Sequence, residues 1–208
     1  MRLLVMDAGG HAKVVIDAAE AAGHVIAGVV VDKPGDAAEL LGHPVTSRAE
    51  TPAADGFIVA IGDNATRARV FAECIAARLV PATVVHPSVV LGADVEVGRG
   101  TFVAAGVVVN TGARIGENTI LNTSCSVDHD CVIGAHAHVG PQVALCGGVT
   151  VGEGTLLGVG SCASPGTSVG AWTVVGAGAA VINDLPAHGI CVGVPARAIH
   201  STEEPPFA

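Results

Sequence analysis

The sequence has 208 residues, half of them apolar but only 2% aromatic, with 28 glycines and no tyrosine. A formal net charge of −9 opposes binding to a phosphate backbone, which selects basic surfaces, so no nucleic-acid partner is expected. No run reaches the roughly 18 apolar residues of a membrane span, and the opening Met1 to Met6 stretch is too short for a secretory leader. A cytoplasmic protein without a membrane partner is expected.

In chain order, Leu3-Leu4-Val5-Met6 predicts a strand and Asp7-Ala8-Gly9-Gly10-His11 a tight turn. Ala12 to Ala22 predicts a helix ended by Gly23, and Val25 to Val31 a second strand closing on Asp32. Phe57 to Ile61 predicts another strand, followed by Gly62-Asp63-Asn64 and a helix from about Ala65 to Leu79. Alternating strands and helices imply a small parallel α/β sheet of Rossmann-like type over residues 1–83. Ligands of such sheets collect beyond the carboxyl ends of the strands. Three loops lie on that edge: Gly9-Gly10-His11 opening a helix, where backbone N–H groups favour phosphate, Asp32, and Gly62.

From Val85 the chain changes character. Stepping by six gives Leu91, Val97, Val103, Val109, Ile115, Leu121, Val127, Ile133, Val139, Leu145, Val151, Leu157, Ala163, Val169, Val175 and Val181, all aliphatic. A period of six fits neither an amphipathic helix nor a simple half-buried strand. It fits a short strand plus a turn, three of which close a triangular coil, so residues 84–208 are expected to form a parallel β-helix with a short polar tail after the repeat decays. None of the six cysteines forms a C-x-x-C pair, and small buried hydrophobes are the expected reading.

Chemistry concentrates in Val127-Asp128-His129-Asp130-Cys131, with His136 and His138 close behind. His129 is a candidate general base, because imidazole titrates near neutrality. Either Asp128 or Asp130 is placed to orient it. Eighteen residues on, one full coil away, lies Gly147, whose backbone N–H is a candidate donor to a developing oxyanion. Three crowded histidines also raise a zinc site of hydratase type as an alternative.

Taken together, Gly9-Gly10-His11-Ala12-Lys13-Val14-Val15, Ala60-Ile61-Gly62-Asp63-Asn64, His86-Pro87-Ser88, the Val127 to Gly134 stretch and Gly193-Val194-Pro195-Ala196-Arg197 resemble the sugar acyltransferases of the sialic-acid O-acetyltransferase family. The resemblance implies left-handed winding and a homotrimer. It implies acetyl-CoA as co-substrate without a metal, lying between neighbouring β-helices, and an amino sugar linked to UDP or GDP as acceptor. It matches His129 to the base, Asp130 to its carboxylate partner, Gly147 to the thioester donor and His138 to a residue beside the acetyl group. Val159 and Ala177 match positions along the rest of the cofactor, and Gly9, Gly10, His11, Asp32, Lys33 and Gly62 match nucleotide-sugar contacts. N-acetylation of a 4-amino-dideoxy sugar is the expected reaction. O-acetylation of a sugar hydroxyl, zinc-dependent hydration and a non-catalytic scaffold are the alternatives. Asp7 stands where the family usually carries glycine.

Overall fold

The computed structural model describes residues 1–32 and 38–201. Its first part is a five-stranded sheet: β1 (Arg2–Met6), β2 (Val25–Val31), β3 (Glu39–Leu40), β4 (His43–Ser47) and β5 (Gly56–Val59), with α1 (Gly10–Ala21) after β1 and α2 (Asn64–Ala76) after β5. The order is β3-β4-β2-β1-β5. All pairs are parallel except β3 with β4, and this two-strand edge is an element the hydrophobic pattern did not announce.

Strand β1 is buried on both faces, as a central parallel strand should be. Leu3 and Val5 pack with Val15 and Ile16 of α1, while Leu4 and Met6 pack with Val70 and Phe71 of α2. Helix α1 starts at Gly10, two residues before the predicted Ala12, and Gly23 follows its end at φ 80°. Helix α2 stops at Ala76, short of the predicted Leu79.

The second part is a triangular coil of two-residue strands. Each strand pairs in parallel with the one 18 residues on, as Val108 with Ser126 and Ser126 with Ala144. Three sheets result, hereafter I (from Val84–Val85), II (from Val90–Leu91) and III (from Glu96–Val97). The every-sixth aliphatics from Val103 to Val181 all point inward and are buried. Glycine follows many of them because the coils stack tightly: a Cβ at Gly134 would lie 2.5 Å from the Glu153 backbone nitrogen of the next coil. Buried threonines staple the edge between III and I, where the hydroxyl of Thr119 donates to the Gly134 carbonyl at 3.2 Å and that of Thr155 to Gly170 at 2.6 Å.

Beyond Val181 the chain does not decay at once into a tail. Strands Gly189–Val192 and Arg197–Ser201 form an antiparallel pair that extends sheet I. The sheet domain rests on sheet I and on the edge between III and I. His11 meets Phe102 edge-on at 5.4 Å, and Asn64 donates to the Gly154 carbonyl at 2.9 Å.

Candidate active site

The edge between sheets II and III carries the turn Asp128-His129-Asp130. Asp130 adopts φ 59°, a left-handed geometry that aspartate tolerates better than most residues. Asp128 is occupied elsewhere: its Oδ1 accepts from the His129 backbone N–H at 2.8 Å and from Asn110, one coil below, at 2.8 Å. Asp130 therefore takes the ring, with Oδ2 2.9 Å from His129 Nδ1. That bond and the nearby Asp128 charge raise the pKa of His129 above its usual value, although the side chain is 57% exposed.

The other ring nitrogen of His129 lies over Gly147. A Cβ at that position would sit 2.5 Å from Nε2 and from Cε1, so any side chain there would have to displace the imidazole. Gly148 N–H donates to the His129 carbonyl at 2.9 Å, whereas the Gly147 N–H has no protein acceptor among the described residues. An unpaired donor thus lies beside an imidazole nitrogen, suiting a reaction that moves a proton while charge grows on oxygen.

A second cluster forms on sheet I. His138 meets the loop after β5, with Nδ1 3.3 Å from the Gly62 carbonyl, and its Nε2 accepts from Asn122 Nδ2 at 3.0 Å. Asn122 Oδ1 receives the Thr123 N–H at 2.8 Å, which orients the amide. The His11 ring is 6.2 Å from that of His138. Burial, then the Arg67 charge, lowers His138 to about 3 and His11 to about 4. Gly9 and Gly10 open α1 beside them, and Asp7, at φ 95°, accepts the Gly9 N–H at 2.9 Å. The Asp7 carboxylate thus closes the loop that a glycine would have turned by backbone freedom alone.

The remaining candidates lie apart. Asp32, at the carboxyl end of β2, is held by Arg48, which also binds Glu73 at 2.8 Å. Asp7, Asp32, Arg48 and Ile61 line a small cavity there. Lys33 lies outside the described residues. Val159 and Ala177 are exposed and stacked on the edge between sheets I and II, the former accepting the Gly178 N–H at 2.9 Å. His129 and His138 do not meet: one marks the vertex opposite the sheet that carries the other. His136 faces Asn118 at 2.9 Å and Phe71, so the three crowded histidines diverge. Among the described residues no three His, Cys, Asp or Glu side chains converge as metal ligands.

Residues 2–74 match the PglD N-terminal domain family. PerB from Caulobacter crescentus, solved with CoA and GDP-perosamine, is 38% identical and superimposes with a TM-score of 0.89 over 96% of this chain and 98% of its own. The chain belongs to the hexapeptide-repeat sugar acyltransferases. Membership makes the coil a left-handed β-helix and the protein an enzyme. The acetyltransferase domain of PglB from Neisseria gonorrhoeae FA1090, solved with acetyl coenzyme A, is 30% identical, with a TM-score of 0.88 over 95% of this chain and 98% of its own. WeeI from Acinetobacter baumannii AYE, 23% identical, shares the fold at a TM-score of 0.88 over 96% of this chain and 100% of its own. No curated protein sequence matches the chain.

In this acyltransferase one buried neighbour of the His11–His138 cluster escaped the sequence reading. Arg67 is 1% exposed, and among the described residues its guanidinium bonds only to backbone carbonyls, in both parts of the chain. Its i+6 spacing from Ile61 carries no pattern that announces such a role. Cys146, next to Gly147, is a free and exposed thiol.

Proposed function

We propose that the protein transfers the acetyl group of acetyl-CoA to the 4-amino group of a UDP- or GDP-linked amino-dideoxy sugar. The observation that carries this reading is the His129–Asp130 pair set over the free Gly147 N–H. PerB, similar over nearly its whole length, holds CoA and GDP-perosamine, which supports the substrate class. Residues 1–83 bind the nucleotide-sugar through Gly9, Gly10, His11, Asp32, Lys33 and Gly62, and residues 84–208 carry out the transfer.

In this mechanism the amine lone pair attacks the thioester carbon, and the carbonyl electrons move onto oxygen, which the Gly147 N–H meets. The amine gives up its proton to His129 Nε2, while Asp130 stabilises the resulting imidazolium. Collapse of the intermediate breaks the carbon–sulfur bond, and His129 returns the proton to the CoA thiolate. The products are an amide and free CoA. No acyl-enzyme forms. Holding both substrates at reacting distance supplies much of the rate.

The separation of His129 from Gly62 and His138 supports a site shared by two copies. One contributes the edge between II and III, the other the sheet domain with sheet I and the Val159–Ala177 edge. A homotrimer gives three equivalent sites of this kind. The small outward residues Ser126, Ala144 and Cys162 of sheet II suit close packing about a threefold axis. No described helix is long and apolar enough to cross a membrane, and we place the enzyme in the cytoplasm with its two substrates.

The test is CoA release from acetyl-CoA with a panel of GDP- and UDP-linked 4-amino sugars and a free sialic acid. Turnover with a nucleotide-linked amino sugar, yielding the amide, is expected. Turnover only with the hydroxyl acceptor, or with none, overturns the reading.

A further inference from the structure

Arg67 is an unusual cation. It sits on α2, fully enclosed where the sheet domain meets the coil, and among the described residues no carboxylate is bonded to it. Its Nε donates to the Asn118 carbonyl at 3.0 Å, and Nη2 to those of His136 at 2.7 Å and Ala137 at 3.1 Å. Nη1 reaches back to the carbonyls of Ile61 at 3.1 Å and Gly62 at 3.3 Å. One guanidinium thus ties the loop after β5 to two successive coils, using the fixed planar fork that lysine lacks.

The Gly62 carbonyl is the shared element. It accepts from Arg67 and also lies 3.3 Å from His138 Nδ1. A carbonyl only accepts, so that nitrogen carries the ring proton. The Asn122 amide, oriented by Thr123, donates to Nε2, which must then carry the lone pair. The charged or titratable groups facing this joint are Asp63, His11, His136 and His138. Arg67 itself, though lowered by burial to about 9, stays charged near neutrality, and its charge disfavours a proton on the neighbouring rings.

We propose that Arg67 is a positioning residue of the transfer site: by pinning the Gly62 carbonyl to the coil it holds His138 in the Nδ1–H form, with an acceptor and not a donor at Nε2. His138 in this form gives no hydrogen to a thioester oxygen, because its one N–H is turned to Gly62 and its lone pair is met by Asn122, which leaves that task to the Gly147 N–H. The proposal rests on the acetyltransferase reading for its kinetic consequence only.

The test uses the full chain labelled with 15N. The ring nitrogens of His138, assigned by their loss in His138→Gln, are followed between about pH 5 and pH 8, the range in which an ordinary histidine titrates. One protonated Nδ1 and one bare Nε2 are expected throughout. In Arg67→Met, which keeps bulk and removes the donors, both tautomers should appear. KM for the nucleotide-sugar should rise about tenfold, while KM for acetyl-CoA stays within about twofold. Arg67→Lys, with its charge but no planar fork, should fall between. An imidazolium, or a proton on Nε2 in the unmodified protein, overturns the proposal. So does a folded Arg67→Met with unchanged His138 resonances and unchanged KM, since a purely structural role moves only stability. Should Arg67→Met not fold, the same readouts on Arg67→Lys decide. Failure to acetylate any amino sugar with the expected spectrum would sink the proposed function and leave the Arg67 assignment standing.

Discussion

His129 and His138 stand half a coil apart in sequence and in opposite chemical settings. His129 crowns an exposed vertex, where Asp130 and Asp128 favour its charged form. His138 is covered by the sheet domain, where burial and Arg67 favour its neutral form. Both side chains leave the same coil. What separates them is which surface each points from and what lies on top. An imidazole that gains a partner carboxylate becomes a better proton acceptor, whereas one covered beside a guanidinium becomes a fixed dipole. A single coil thus supplies two different tools.

The strongest way to break this contrast is His129→Ala. Turnover should fall by about 10²–10⁴-fold, the worth of a general base, while Tm stays within about 2 °C, since an exposed side chain is removed. Thermal melts and steady-state kinetics check both, and near-normal turnover would end the assignment. Complementation comes next. His129→Ala and His138→Ala chains, each inactive alone, should recover about one quarter of the native rate when unfolded together and reassembled, because one interface in four then pairs two intact halves. No recovery would break the reading of a site shared between two copies.

Gly147→Ala pushes a methyl group to 2.5 Å from the imidazole. It should cut turnover by about 10–100-fold through displacement of the ring or the N–H donor, read as a fall in kcat with CoA binding retained. Asp130→Asn should cost about tenfold and shift the pH profile. The base works unprotonated, and its raised pKa moves the acid limb of kcat/KM to higher pH than an unpartnered imidazole would give. Removing the carboxylate lowers that pKa, so the limb moves to lower pH. An unmoved limb would assign it to another group. At the small end, Cys146→Ser should leave turnover within about twofold, because the mechanism forms no thioester on the protein. A large loss would point to an acyl-enzyme.

The coil was legible because its signal is local and repeats: each aliphatic every six residues faces the same packing problem as the last. The His129–Asp130 pair was legible because the partners are adjacent, although only the coordinates assign Asp128 to Asn110 and the backbone. The β3–β4 edge was not, since a two-residue strand and a strand containing Pro44 carry little alternation. Nor was the closing strand pair, whose Val194-Pro195 bend reads as a breaker. Arg67 was hidden for a different reason. Its partners are carbonyls 51 and 69 residues away, and a carbonyl belongs to every residue type alike.

The unbroken pairing of each strand with the one 18 residues on also limits how such an enzyme can change. A single inserted residue would turn every later side chain inside out, whereas a whole added coil would lengthen the prism by one strand spacing of about 4.8 Å. Reach along this scaffold is therefore quantised, and variants suited to longer or shorter donors should differ by complete turns.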